Sequence, residues 1–535
     1  MTLRKLLQAN KKQFLFYMIG AFLTTISGIF MTLALSNAFG IIEETQTQRV
    51  YTRILFVVIF AFTPIFTQIL SRFLRIGFMR DILIQVRTLA YEKLMSHNYE
   101  SFKKKSKENY MSMLISDINL FERDFFLSLL NIIYSFGTFI IGFFILLFIQ
   151  PTVAFSTFGA TLLLFIVTKI FEPVARKAKR QTQDANANYN TQLTNILNGL
   201  EVITLYQASE YFKRPFESIV IVLEQIKKRA FRIDEFQSNL NQWIASSYQI
   251  IVYVYATYLY ILDQITLTSL IIVFNLVGQL IWSMISGFSF INRFKTSSDI
   301  FDRITTKENT IDGKHPMSFN HGYSVSNLSF AYDQKLVLKD MSFTIKPKEK
   351  VLIIGPSGAG KTTLLSILTK DISSYQGSVT IDDVQINDIE YNNFLQHCGY
   401  IRQHHFIFND SIKNNIILNQ PYDQHKLENI LKNVDLLDWI NTLPERFDHI
   451  LQEDGANISG GQRQRLSIAR ELYHNKQILF VDEPSASLDD ATSQKIYDAL
   501  FNLDQTIVCV SHRHIDYLKQ QVDQVIECVP LGAKS

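Results

Sequence analysis

The chain of 535 residues carries 52 Lys and Arg against 49 Asp and Glu, so its formal net charge is only +3. This balance does not indicate a nucleic-acid-binding protein. With 47% hydrophobic residues the chain can bury a core, which excludes intrinsic disorder. A mean hydropathy of +0.08 is typical neither of a wholly soluble protein nor of a wholly membrane-embedded one, and it predicts one apolar half and one water-soluble half. The cysteines, Cys398, Cys509 and Cys528, form no C-x-x-C pair, so we expect neither a disulfide framework nor a zinc site.

Six segments of the first half contain no charged residue and are long enough, or nearly so, to cross a bilayer, which takes about 20 apolar residues. They are Phe14–Asn37, Ile54–Ser71, Leu127–Ile149, Thr152–Thr168, Trp243–Leu262 and Ile265–Phe290. A soluble domain does not hide so much charge-free helix, so the sequence predicts a six-span α-helical membrane domain. Because five spans follow the first, we interpret it as an uncleaved span and not as a signal peptide.

The connections between these segments are either short or long. Three short ones hold two Lys or Arg residues in total: Ala38–Arg53, Gln150–Pro151 and Asp263–Gln264. The two long ones, Arg72–Phe126 and Lys169–Gln242, hold ten and eleven. Since positive charge accumulates on the cytoplasmic side, we expect the N-terminus, both long connections and the C-terminal half in the cytoplasm, and the spans in the cytoplasmic membrane.

Both long connections show apolar residues at helical spacing, as at Ile82, Val86 and Leu89. This pattern predicts membrane helices that extend far into the cytosol, turn and come back, because a structureless loop of this length is uncommon. The basic run Lys103–Lys105 predicts a solvated tip or a contact with anionic membrane lipid.

The second half alternates short β-branched runs with helical stretches, which predicts an α/β domain with a mainly parallel sheet. The runs are Tyr323–Phe330, Lys350–Ile354, Ile478–Val481 and Thr506–Val510. We therefore divide the chain into a membrane domain, residues 1–310, and an α/β domain, residues 311–535.

One of these strands leads directly into a glycine-rich loop and then a helical run. Strand, loop and helix form the context in which G-x-x-x-x-G-K-[ST] binds phosphate, because glycines let backbone N–H groups turn toward an anion at the helix N-terminus. The lysine reaches the β- and γ-phosphates, and the hydroxyl that follows ligates Mg²⁺. The candidate nucleotide-binding residues are Gly355, Pro356, Ser357, Gly358, Ala359, Gly360, Lys361, Thr362 and Thr363.

A second apolar strand ends in two acids, Asp482 and Glu483. The first suits Mg²⁺, and the second stands where a base polarises an attacking water. Between the two motifs, a helix begins with two glycines that expose N–H groups to an anion. Its candidate residues are Ser459, Gly460, Gly461 and Gln462.

In these residues the chain resembles the ATP-binding cassette (ABC) transporter family, whose signature motif is similar to Ser459–Gln462. The resemblance covers nearly the whole chain, because the six-span half resembles the exporter-type membrane domain. It implies ATP and Mg²⁺ as cofactors, with Thr362, Gln403 and Asp482 as magnesium ligands. It also implies further roles in the family's order: Tyr332 stacking on adenine, Gln403 in the Q-loop, Glu453-Asp454-Gly455 before the signature, Asp489 in the D-loop Ser487-Leu488-Asp489, and His512 as the switch histidine on the γ-phosphate. Glu483, His512 and Gln403 are thereby the catalytic candidates.

The resemblance further implies that two such chains face each other and enclose ATP between Lys361 of one and Ser459–Gly461 of the other. Nothing in the motifs is degenerate, which favours a homodimer, while a heterodimer with a different chain stays open. The helix tips near Tyr99–Lys107 and Leu205–Phe212 would carry closure to the membrane helices. The chain ends soon after His512, so we expect the family's C-terminal helical tail to be absent.

The resemblance and the uncharged spans together predict an ATP-driven exporter or flippase for a hydrophobic or amphipathic substrate, such as a lipid, drug or peptide. The alternatives are one competent half of a heterodimeric exporter with a specialised substrate, such as a peptide, bacteriocin or thiol, and a cassette ATPase without transport. Polar residues in the spans either line a pathway or pack between helices. They are Asn131, Asn275, Gln279, Tyr248, Tyr253, Tyr255, Tyr258 and Tyr260.

Overall fold

The computed structural model describes residues 2–97, 101–102, 107–307, 313–333, 335–403, 405–485 and 488–530. The chain divides into two compact units, one of Met1–Ser96 with Ser106–Lys307 and one of His97–Lys105 with Glu308–Ser535. The boundary that the sequence predicts between residues 310 and 311 lies outside the described residues and stays a prediction.

The first unit is built from helices. They are α1 Leu3–Ala9, α2 Lys11–Gly40, α3 Thr47–Met95, α4 Lys107–Ser112, α5 Ile118–Ile149, α6 Pro151–Asn198, α7 Leu200–Leu205, α8 Ser209–Ile261 and α9 Leu267–Thr305, with a π-helical stretch, Met113–Asp117, before α5. Helices α3, α6 and α8 contain 49, 48 and 53 residues. At 1.5 Å per residue they are about 70–80 Å long, more than twice the hydrocarbon core of about 30 Å. These helices are thus much longer than a membrane span, and the extension of their extra length into the cytosol stays a prediction.

Five helices among the described residues are long and apolar enough to cross a membrane, namely those containing α2, α3, α5, α6 and α9. The sixth predicted span, Trp243–Leu262, lies within helix α8, which is not one of the five. Five tyrosines and a glutamine lower the hydropathy of this segment. The sixth span stays a prediction, which rests on a segment that is helical throughout and carries no charged residue.

An aromatic cluster joins four helices of the first unit. Tyr17 of α2 lies with its ring centroid 5.1 Å from that of Phe78 of α3, and its hydroxyl donates to the carbonyl of Phe126 in α5 at 2.9 Å. Phe121 of α5 contacts Phe301 of α9 at 5.7 Å between ring centroids. All five side chains are buried. Such pairs stabilise a core beyond the area they bury, so the cluster fixes these helices against one another.

The second unit contains two sheets and short helices. Its elements are β1 Tyr323–Tyr332, β2 Lys335–Ile345, β3 Lys350–Ile354, α10 Lys361–Leu368, β4 Gln376–Ile381, β5 Val384–Gln385, α11 Tyr391–His397, β6 Cys398–Ile401, α12 Ile412–Ile417, α13 Gln424–Asn433, α14 Leu437–Thr442, α15 Gly460–His474, β7 Ile478–Asp482, α16 Asp490–Phe501, β8 Thr506–Val510, α17 Ile515–Lys519 and β9 Gln524–Glu527.

The larger sheet, in the strand order β6-β7-β8-β3-β9, is parallel, and a mainly parallel sheet was predicted. The smaller sheet, β2-β1-β4-β5, is antiparallel and was not predicted. The predicted strand Tyr323–Phe330 belongs to this second sheet. Two residues separate β1 from β2, and so short a connection forms a hairpin, because a parallel pair needs a crossover of a dozen or more residues.

Candidate nucleotide-binding site

Four neighbouring strands of the parallel sheet end at one edge, and each leads into a predicted site residue. Gly355 follows β3, Gln403 lies two residues beyond β6, Glu483 follows β7 and His512 lies two residues beyond β8. In open α/β sheets, ligands bind outside the carboxyl ends of the strands. The strand order therefore brings four motifs that are far apart in sequence to one place.

The glycine-rich loop depends on close approach as well as on backbone angles. Gly355 has a φ of +148°, and a Cβ there would lie 2.4 Å from the carbonyl oxygen of Cys528. Gly360 has a φ of +90°, and a Cβ there would lie 2.8 Å from Leu338. Residues 356–358 are exposed, whereas Ala359 is buried. The loop thus presents its backbone outward at the N-terminus of α10, as an anion-binding loop must.

The side chain of Lys361 folds back along this loop. Its Nζ donates to the carbonyls of Gly355 and Pro356, at 2.9 Å each, and the residue is only 5% exposed. Burial lowers the pKa of Lys361, and the negative charges of Glu483 and Asp482 oppose this shift. In the first turn of α10, Thr362 is exposed and Thr363 is half-buried.

The three predicted catalytic residues lie together, because His512 and Gln403 both contact the carboxylate of Glu483. The Nε2 atom of His512 lies 3.1 Å from Glu483 Oε1, and the Nε2 atom of Gln403 lies 3.5 Å from Glu483 Oε2. Glu483 has a φ of +51°, which is unusual for a residue with a long side chain. Its backbone N–H donates to the carbonyl of Val510 in the neighbouring strand at 3.0 Å, which holds this conformation. Strained backbone of this kind concentrates at functional sites.

Asp482 is the last residue of β7 and is buried. Burial raises the pKa of its carboxyl, and the neighbouring charge of Glu483 raises it further. The positive charges of Lys361 and Arg402 act in the opposite direction. Two adjacent carboxyl groups in a partly buried position are an environment that a bound cation would stabilise.

The signature segment forms a capped helix start. Ser459 Oγ accepts from the Gln462 N–H at 3.2 Å, and Gln462 Oε1 accepts from the Ser459 N–H at 2.8 Å. This capping box places Gly460 and Gly461 in the first turn of α15. Gln464, which sequence reasoning missed, donates from Nε2 to the Glu483 carbonyl at 3.3 Å and so connects α15 to the end of β7. Its position two residues beyond the motif carries no sequence signal for this contact.

Two other predicted residues lie away from this cluster of contacts. Tyr332 ends β1 and is 54% exposed, with its ring centroid 4.8 Å from that of Phe330. Asp489 accepts from the Thr492 N–H at 2.9 Å as the N-cap of α16, and this hydrogen bond lowers the pKa of its carboxyl. Ser487 of the D-loop lies outside the described residues, as do Tyr99 and Lys103–Lys105 of the first helix tip. At the second tip, Leu205 and Tyr206 are exposed.

Most of the polar residues in the spans make hydrogen bonds. The hydroxyl of Tyr248 lies 2.8 Å from Ser156 Oγ, and that of Tyr253 donates to the Phe274 carbonyl at 2.8 Å. Tyr255 and Tyr260 contact Thr152 and Glu43 through their hydroxyls, at 3.3 and 2.9 Å, and Gln279 contacts Thr32 at 3.4 Å. Asn131 and Asn275 donate to carbonyls in their own helices. The hydroxyls of Tyr248, Tyr253, Tyr255 and Tyr260 therefore connect helix α8 to neighbouring segments of the first unit.

A helical membrane unit fused to an α/β unit with a phosphate-binding loop defines a membrane protein driven by nucleotide hydrolysis. Residues 14–284 match the family model "ABC transporter transmembrane region", and residues 338–486 match "ABC transporter". The chain therefore belongs to the ABC transporter family. It is an integral membrane protein.

Two curated relatives illustrate the range of the family. The lactococcin-G-processing and transport ATP-binding protein of Lactococcus lactis is 31% identical over 403 residues, which cover 71% of this chain and 55% of that protein. The ATP-dependent lipid A-core flippase of Haemophilus influenzae is 26% identical over 452 residues, which cover 81% and 76%. The chain thus spans little more than half the length of the first relative.

A solved structure matches the fold along almost the whole chain. A bacterial Atm1-family ABC exporter with ATP bound has a TM-score of 0.81 and covers 97% of this chain and 94% of its own. The sequence identity is 19%. This likeness shows the exporter fold, a helical membrane domain followed by a nucleotide-binding domain.

Proposed function

We propose that this chain is one half of a dimeric exporter that moves a hydrophobic or amphipathic molecule out of the cytoplasm. The observation that carries the proposal is the meeting of His512 and Gln403 at the carboxylate of Glu483, at the sheet edge where the Lys361 loop begins. Phosphoryl transfer to water requires a residue that orients the attacking water, here Glu483, and groups that hold this residue in position, here His512 and Gln403.

The loop and its lysine would hold the nucleotide. The outward-facing backbone of Gly355–Gly360 cradles the β-phosphate, and the helix N-terminus that follows favours negative charge. Lys361 exchanges two loop carbonyls for phosphate oxygens, a stronger, charge-assisted pairing. The exposed ring of Tyr332 offers a stacking surface for adenine.

The residues at this edge also fit Mg²⁺. Thr362 contributes a hydroxyl, Gln403 an amide oxygen and Asp482 a carboxylate whose burial beside Glu483 a cation would relieve. Among the described residues, no group of three His, Cys, Asp or Glu side chains could hold a metal by itself. We infer that the ion binds with ATP, whose phosphate oxygens complete its ligands. When bound, it neutralises charge on the β- and γ-phosphates.

Hydrolysis would depend on Glu483, which accepts a hydrogen bond from the attacking water and orients it. His512 lies beside this carboxylate and would stabilise the γ-phosphate, while Gln403 would sense the nucleotide through the same contact. The Asp489 side chain caps its own helix, and it would act by fixing the D-loop.

We propose a second copy of this chain as the partner, with a different half-transporter as the alternative. The helix start at Ser459–Gln462 presents glycine N–H groups that suit a γ-phosphate, and the partner's loop would supply that phosphate. Every catalytic candidate is present in this chain, so two copies would form two complete sites.

The substrate class follows from the spans, which carry no charged residue and suit an apolar or amphipathic molecule. By their names, one relative acts on a lipid A core and another on lactococcin G. We place the N-terminus and the ATPase unit in the cytoplasm because Lys and Arg concentrate in the long connections.

ATP hydrolysis by the purified chain in lipid nanodiscs tests this proposal. We expect Mg-ATPase activity, and we expect Glu483→Gln to lower kcat about 10²–10⁴-fold while ATP still binds. The matched control is Glu445→Gln, an exposed carboxylate outside the site, which should keep the activity. Full activity in Glu483→Gln would refute the assigned role.

A further inference from the structure

One ion pair of the second unit connects the segment that follows helix α10 with the segment that carries Gln403. Arg402 Nη2 donates to Asp371 Oδ2 at 2.9 Å, and its guanidinium carbon lies 4.2 Å from the ring centroid of Tyr400. The Asp371 side chain is 5% exposed and that of Arg402 is 33% exposed. The pair is therefore partly shielded from water, where a charge interaction is stronger than on the surface.

Each partner of this pair adjoins a functional segment. Arg402 stands between strand β6 and Gln403. Asp371 follows α10, the helix that begins at Lys361, and its N–H donates to the Ser366 carbonyl at 2.8 Å. A buried carboxylate near the C-terminal end of a helix is unfavourable, because the helix dipole is negative there. The guanidinium of Arg402 compensates for this charge and so ties the far end of α10 to the residue before Gln403.

We propose that Arg402 is a positioning residue that, through its ion pair with Asp371, holds the Gln403 amide within reach of Glu483. The inference rests on the proposed role of Gln403 in ATP hydrolysis. The 3.5 Å separation between Gln403 Nε2 and Glu483 Oε2 leaves little margin. A further shift of 1 Å would end the contact, and a misplacement of that size costs about 10²-fold in rate.

The test is a double-mutant cycle on the full chain in nanodiscs, with ATPase kinetics as the measurement. Arg402→Gln should lower kcat about 10–10²-fold and leave the KM for ATP within about twofold, because the loop and Lys361 are intact. Gln403→Ala should have a similar effect. Adding Arg402→Gln to Gln403→Ala should change kcat far less than it changes the wild-type kcat, since Arg402 acts through that amide and its charge on Asp482 is lost equally in both backgrounds.

A merely structural role gives a different pattern. If Arg402→Gln lowers kcat as much in the Gln403→Ala background as in the wild type, or leaves the wild-type kcat unchanged, the proposal is overturned. Lys348→Gln, which removes the exposed pair with Asp504, is the control and should leave kcat unchanged. Asp371→Asn enters the same cycle whether or not Arg402→Gln folds, because it breaks the pair and leaves in place the Arg402 charge that acts on Asp482. A wild-type chain without ATPase activity would contradict the proposed function itself.

Discussion

Gly355 and Gly358 form a matched pair of loop glycines that separates backbone strain from steric clash. A Cβ at Gly355 would lie 2.4 Å from the Cys528 carbonyl oxygen, whereas a Cβ at Gly358 would meet no atom within 4 Å. Their φ angles are +148° and +80°, so an alanine is strained at both. The Cys528 carbonyl cannot turn away freely, because the N–H of the same residue donates to Ile354 in strand β3 at 2.9 Å.

These contacts determine how much stability each substitution should cost. Strained backbone costs about 1–3 kcal/mol at either position. The forced contact in Gly355→Ala adds about 1–3 kcal/mol, as overpacking does elsewhere. For a domain of 150–250 residues, each kcal/mol lowers Tm by about 2–4 °C. Gly355→Ala should therefore lower the Tm of the nucleotide-binding unit by at least about 2 °C more than Gly358→Ala does.

Scanning calorimetry of the full chain in nanodiscs measures this difference. The expected order of Tm is wild type, then Gly358→Ala, then Gly355→Ala. A Gly358→Ala variant that is as unstable as Gly355→Ala, or less stable, would refute the reasoning, because the clash at Gly355 would then contribute nothing.

Two further predictions concern Lys361 and the cysteines. Lys361→Ala should weaken ATP binding at least about tenfold, because it removes the cation on the phosphates. The control Lys348→Ala should bind ATP as the wild type does. If a fluorescent-nucleotide titration gives Lys361→Ala the same affinity as the wild type, the assigned role of Lys361 is contradicted. Cys398, Cys509 and Cys528 are buried, and burial raises the pKa of Cys528 to about 11, so at pH 8 its thiol is neutral. Maleimide at pH 8 should modify none of them in the native chain and all three after denaturation, as read by mass spectrometry; rapid native modification of Cys528 would oppose its placement.

The membrane spans and the phosphate-binding loop could be predicted from the sequence, because each depends on residues that are adjacent in the chain. A run without charge predicts a span, and a strand, glycine-rich loop and helix in order predict the phosphate site. Both follow from residues adjacent in the chain. The roles of Gln403 and His512 came from the resemblance to the family, and the structure brings both to Glu483 because the carboxyl ends of parallel strands coincide.

The contacts that were missed depend on register between distant elements. Gln464 reaches the Glu483 carbonyl because of the angle at which α15 packs, and no spacing in the sequence encodes that angle. Likewise, the hydroxyl of Tyr248 finds Ser156 only once α6 and α8 are aligned. The pair of Asp371 and Arg402 joins residues 31 positions apart through the fold alone.

The central claim, that two copies of this chain share each ATP, has a direct test in the triple variant Ser357→Cys, Ser459→Cys, Glu483→Gln. Both serines are exposed, one in the glycine-rich loop and one at the signature helix, and Glu483→Gln retains bound ATP. The measurement is the mass of the oxidised product on a non-reducing gel, with and without Mg-ATP. The account predicts an ATP-dependent covalent dimer, because Ser357→Cys of one copy meets Ser459→Cys of the other. A product that stays monomeric while ATP is demonstrably bound would contradict it.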